Sequence, residues 1–141
     1  MFRLFLIFLS LALISCQKED ETTFEKLNTK IFVSAEYVDG TVIISGETEK
    51  QFGCLGYSIN HKASISKGNQ IDFEFTDIEP PKEACLTAMG PAVFFSYLVN
   101  LDEELNFVRF KLDGQINKGS LVIKNNEVNL FLPDDGNVRV K

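Results

Sequence analysis

Tryptophan is absent from the 141 residues, and histidine occurs once, at His61. One histidine cannot build the multi-histidine sets that catalytic zinc needs, and the three cysteines show no C-x-x-C spacing. No serine stands in a G-x-S-x-G turn, and no other nucleophile motif is present. The expectation is a protein that is not an enzyme and has no metal and no cofactor. Positive charge is also scarce, with 14 Lys and Arg against 20 Asp and Glu and a net charge of −6. That balance excludes the Lys/Arg stripe on which phosphate backbones depend, so no nucleic-acid partner is expected. Nothing in the chain is apolar for the roughly 20 residues a membrane helix needs.

The longest apolar run, Leu4 to Ile14, has the length of a secretory h-region, with Arg3 as its positive n-region. It ends in Leu13-Ile14-Ser15-Cys16, which resembles a bacterial lipobox. The resemblance implies a signal peptide over 1–15, cleavage before Cys16 and lipidation of that cysteine. Each buried CH₂ of an acyl chain contributes about 0.8 kcal/mol, and several chains together hold a protein firmly in a membrane. Gln17, Lys18, Glu19, Asp20 and Glu21 follow at once. They resemble the export signal of surface-exposed lipoproteins in Bacteroidetes. Together these implied signals predict an outer-membrane lipoprotein, membrane-bound through its lipid and displayed on the cell surface, with the periplasmic face as the alternative.

Residues 16–29 read as a polar tether, because so charged a stretch buries too little surface to fold. One domain is expected over 30–141. With Cys16 lipidated, Cys54 and Cys85 remain. An even pair in an oxidising compartment reads as a single disulfide.

From Lys30 onward, period two dominates. Ile31, Val33, Ala35 and Tyr37 alternate with Phe32, Ser34 and Glu36 before the hairpin signal Asp39-Gly40. Thr41 to Ser45 is the β-branched return. Leu55, Tyr57, Ile59, Ala63 and Ile65 share a face, and strict alternation puts His61 among them; a bend at Asn60-His61-Lys62 is expected to turn His61 outward. Turns are predicted at Lys67-Gly68-Asn69, Asp113-Gly114, Asn117-Lys118-Gly119, Asn125-Asn126 and Pro133 to Asn137. Between them, Ile71, Phe73 and Phe75, then Val108, Phe110 and Leu112, then Leu121 and Ile123, then Val128, Leu130 and Leu132 mark strand faces. Val93, Phe95, Tyr97, Val99 and Leu101 are assigned to the core face of the strand after Pro91. Phe94 and Leu98, on its other side, are the best hint of a contact patch, the alternative being a central strand buried on both sides.

This pattern predicts an all-β domain, an antiparallel β-sandwich of about seven or eight strands. The stretches Phe52-Gly53-Cys54, Gly68-Asn69-Gln70-Ile71, Pro80-Pro81 before Ala84-Cys85, Gly90-Pro91-Ala92 and Gly119 to Ile123 resemble small secreted immunoglobulin-like sandwiches with one disulfide. The Gly-Cys pair and later cysteine also resemble the META/HslJ-type envelope stress lipoproteins, whose Asn-rich motif and long helix this chain lacks. Asp72, Glu74, Asp77 and Glu79 read as a solvated strand face, because carboxylates two apart on a strand form a row rather than a calcium cage. Asp134-Asp135-Gly136-Asn137 reads as a plain turn. The functional expectation is a non-catalytic binding or accessory module for a protein or glycan partner. The alternative is a protease-inhibitor-like domain presenting Ile78 to Lys82 as an exposed loop.

Overall fold

The computed structural model describes residues 23–82, 85 and 88–141. The signal segment, Cys16 and the acidic stretch Gln17 to Glu21 lie outside the described residues, as does most of the segment between Lys82 and Ala88.

Ten strands follow one another without a helix among the described residues: β1 Glu25–Lys26, β2 Ile31–Val38, β3 Thr41–Phe52, β4 Ser58–Ser66, β5 Gln70–Glu79, β6 Gly90–Leu98, β7 Glu104–Leu112, β8 Gln115–Lys124, β9 Glu127–Phe131 and β10 Val138–Val140. They form one sheet in the order β10-β2-β3-β6-β4-β5-β7-β8-β9, with β1 added to β5. The sheet curls into a nearly closed barrel. Three of its pairings are parallel, β10 with β2, β4 with β6, and β5 with β7. The all-β expectation therefore holds, while the antiparallel immunoglobulin-like sandwich gives way to a single mixed barrel. Parallel pairs join elements far apart in sequence, so no local pattern announces them.

Turn chemistry acts as expected at the hairpins. Asp39-Gly40, Asp113-Gly114 and Asn125-Asn126 each have positive φ at both residues, the two-residue geometry whose twist matches the flanking strands. The turn expected at Asn117-Lys118-Gly119 is instead the middle of β8. A Cβ on Gly119 would strike the main-chain carbonyl of Phe131. Its glycine thus serves close approach of the β9 end, not reversal of the chain.

Inside the barrel, Phe73 and Phe110 stack at 4.9 Å, with Phe75 and Phe94 beside them. Ile31, Val33, Val42, Ile44, Ile71, Val108, Leu121 and Val138 complete the buried face. Leu27 is buried with them, and β1 pairs with Asp77 and Ile78. Glu25–Lys26 and Leu27, within the stretch 16–29 expected as a tether, are therefore part of the folded barrel. Thr48, inside the barrel, accepts the main-chain N–H of Ala92 through its hydroxyl at 2.9 Å and ties β3 to the start of β6.

Cys54 and Cys85 form the expected disulfide, across a sequence separation of 31. Cys54 is buried just after β3. The bridge joins the start and the end of the excursion made by β4 and β5, at the end of the barrel where Phe52 pairs with Gly90 and Ser58 with Val93.

Candidate functional site

Strand β6 is inverted relative to the sequence reading. Ala92, Phe94, Ser96 and Leu98 are buried, while Phe95 and Tyr97 are 59% and 68% exposed. The cause is register. Phe94 lies opposite Gly46 on β3, and a Cβ on Gly46 would sit 2.5 Å from the Phe94 ring. The missing side chain of Gly46 is the space the Phe94 ring fills. Once Phe94 is inside, period two sends Phe95 and Tyr97 out. The contact patch expected at Phe94 and Leu98 is thus core, and the exposed apolar face belongs to their neighbours.

That outer face spans β2, β3 and β6. Tyr97 lies opposite Ile43, which lies opposite Glu36; Phe95 lies opposite Ser45, which lies opposite Ser34. The Ser34 and Ser45 hydroxyls hydrogen-bond at 2.9 Å. Val99 and Val38 are exposed nearby. Two large aromatics next to one another in mid-strand, framed by hydroxyls and carboxylates, form an amphipathic platform. Burial of such rings is a strong source of contact energy. A second apolar group, Leu105, Phe107 and Phe131, is exposed on β7 and β9.

His61 departs from expectation in an informative way. The β4–β5 register shifts between Ile59 and His61. Ile59 pairs with Ile78 and His61 with Phe75, so the extra residue is on β5, at Thr76-Asp77, and β4 keeps its alternation. His61 therefore stays on the inner face, half-buried, its ring centroid 4.9 Å from that of Phe94. Asn60 on the outer side donates to Asp77 Oδ1 at 2.7 Å and pins the bulge. His61 Nδ1 lies 3.4 Å from the Ile59 carbonyl oxygen. Its ring neighbours are Phe73, Phe75 and Phe94.

The acidic strip divides. Asp72 and Glu74 face outward from β5 and pair across the parallel ladder with Arg109 and Lys111 on β7. Lys62 and Ser64 complete the rows on β4. These side chains line a shallow groove of about 640 Å³ with Ile116 at its far edge. The Arg109 guanidinium, hydrogen-bonded to Asp72, holds that carboxyl below the usual carboxylate range. Lys111 does the same to Glu74, and Asp72 raises Arg109. Asp72 and Glu74 are each engaged by a cation of β7, and Lys62, which makes neither of these short contacts, also helps to hold Glu74 ionised. Asp77 is held by Asn60, and Glu79 lies 3.4 Å from Lys82.

An Asp whose folded pKa is depressed stabilises the fold above its ordinary value, near 3.9, and loses that contribution as pH falls through the folded value. Asp72→Asn is expected to lower stability at pH 7 by about 1 kcal/mol or less, since the pair is partly solvated. The difference from wild type should close below about pH 4. Thermal midpoints measured from pH 7 to pH 2 check this, and a gap that persists in acid would refute the assignment.

Asp134 to Asn137 is the expected turn. Asn137 donates to Gln115 Oε1 at 2.7 Å and its carbonyl accepts the N–H of Ile31 at 2.9 Å. The turn thereby sets β10 against β2. Ile78 is fully buried and Glu79 is paired with Ser58. The stretch Ile78 to Lys82 is therefore not the displayed loop that an inhibitor reading needs; only Pro80 to Lys82 leaves the sheet.

No family model matches this chain, and no curated protein and no solved structure matches it significantly.

Proposed function

We propose that this protein is a non-catalytic binding module, anchored in the outer membrane by a lipid on Cys16 and displayed at the cell surface by the Lys18 to Glu21 stretch. Its binding face is the outer surface of β2, β3 and β6. The observation that carries this reading is the exposure of Phe95 and Tyr97 side by side on a rigid strand. Soluble domains seldom leave contiguous apolar surface uncovered without a use for it. The β3–β6 ladder fixes the main chain that carries both rings, so a partner that covers them has only their side chains to order.

The test places a photo-crosslinking phenylalanine analogue at position 97 in intact cells, with the same analogue at position 116 as the control. Ile116 is also exposed, but on the charged groove. A discrete adduct at 97 and none at 116 is expected; a sharp band identifies a protein partner and a ladder identifies a glycan. No adduct at 97 overturns the binding face. The same cells carrying Cys16→Ala should release the protein from the membrane fraction, and retention there overturns the anchor.

A further inference from the structure

The barrel has a seam between β4 and β6, and its chemistry names a partner. In an antiparallel ladder, alternate residues either bond across the pair or turn both main-chain groups away from it. The N–H of Val93 donates to the Tyr57 carbonyl at 3.1 Å, so Val93 faces away from β3. Period two then turns the N–H and C=O groups of Phe95 and Tyr97 to the same side. Yet β4 meets β6 at one paired position only, Ser58 opposite Val93. Had the parallel ladder continued, Asn60 and Lys62 would lie opposite Phe95 and Tyr97. Instead the main-chain pairing stops, although the His61 ring of β4 still packs against Phe94 of β6. Ala63 and Ile65 lie on the inward-turned face of β4 with Ile59 and His61, but both are exposed, because β6 does not cover them.

We infer that this seam receives an extended segment of a partner protein, added as a strand along β6 from Phe95 to Leu98. The inference rests on the binding-module reading above and names the class of its partner. Open main-chain donors and acceptors at strand spacing are matched by another strand. A second copy of this chain fits less well. Edge-to-edge dimers pair one free edge with one free edge, whereas here two parallel edges face the same opening. A single extended segment can bond to β6 on one side and β4 on the other. Its outward side chains would flank Phe95 and Tyr97 and meet Lys62, whose cross-strand neighbour Glu74 gives its short contact to Lys111. Its inward side chains would cover Ala63 and Ile65. The segment is therefore an alternating one, apolar inward, with an acidic group outward near Lys62.

The test uses the folded domain and a capped heptapeptide in which valine alternates with glutamate. Amide hydrogen exchange is read residue by residue by NMR. In the free protein, the amides of Phe95 and Tyr97 are expected to exchange much faster than those of Phe94 and Ser96, which bond to β3. Adding the peptide up to millimolar concentration should slow Phe95 and Tyr97 by about tenfold or more. N-methylating alternate peptide amides should lower affinity by about the same factor. Tyr97→Pro removes one edge donor at a position where a strand tolerates proline, and it should weaken binding similarly. Its fold is checked by unchanged protection of Phe94 and Ser96. Slow exchange at Phe95 and Tyr97 in the free protein, or binding without their protection, overturns the inference. So does failure of the peptide to bind, or the formation of dimers through this edge. A glycan adduct at position 97 in cells would leave the binding face standing and remove the strand. Phe95→Ser/Tyr97→Ser, which keeps both edge N–H groups, separates loss of the aromatic platform from loss of the edge.

Discussion

Phe110→Ala is expected to lower the unfolding free energy by about 3–5 kcal/mol, the range for deleting a fully buried phenylalanine. Phe110 is completely enclosed. It lies opposite Phe73 on β5 in the parallel ladder, and the rings stack at 4.9 Å and 18°. Phe75 lies nearly parallel at 6.1 Å. The walls of the cavity would be side chains fixed on β5 and β7, hydrogen-bonded on both sides, so the site cannot collapse to refill it. Domains of this size have about 5–15 kcal/mol of stability in all, so the variant should sit at the margin of folding. Phe107→Ala is the internal control. Phe107 is on the same strand but faces solvent, and its loss should change stability by about 0.5 kcal/mol or less. Denaturant titration of both variants decides the matter. Equal losses, or a mild Phe110 effect, would mean that the inside and outside of β7 are assigned wrongly.

Removing the disulfide is the second large perturbation. Cys54→Ala/Cys85→Ala should destabilise by about 3–4 kcal/mol, the loop-entropy value for a closure of this length. The bridge encloses β4 and β5 and lies beside the one position at which β4 pairs with β6. Loss should therefore loosen that seam before the rest of the barrel, and the Val93 amide, bonded to Tyr57, should lose exchange protection ahead of Phe110. Guanidinium unfolding with and without a phosphine reductant gives the global number. Superimposable curves, or full thiol labelling without reductant, would contradict the bridge.

The inverted β6 shows where pattern reading fails. Counted along the sequence, the odd residues Val93, Phe95, Tyr97, Val99 and Leu101 are more apolar than Ala92, Phe94, Ser96 and Leu98. A count of apolar residues therefore puts the wrong face inside. What decides the matter is one partner residue about fifty positions away, Gly46, whose missing side chain admits Phe94. The surplus of aromatics left outside is the local inconsistency that marks a functional surface more often than a core. His61 is the converse case. The bulge falls on β5, at Thr76-Asp77, so β4 keeps the strict alternation that places His61 inside, and the bend expected at Asn60-His61-Lys62 does not turn it outward.

The sequence by itself determined the β class, the hairpin turns at Asp39-Gly40, Asp113-Gly114 and Asn125-Asn126, the cysteine pair, and the inward faces of β2, β5, β7, β8 and β9. Each rests on neighbours within a few residues: side-chain alternation, the low cost of positive φ at Gly and Asn, or an even cysteine count. Only the tertiary structure decided the parallel pairings, the closure into a barrel, the side on which Phe95 and Tyr97 emerge and where the pairing of β4 with β6 stops. These depend on which distant strands meet and on the shape one offers the other. That choice is made by packing across the barrel interior, and no local stretch of the chain contains it.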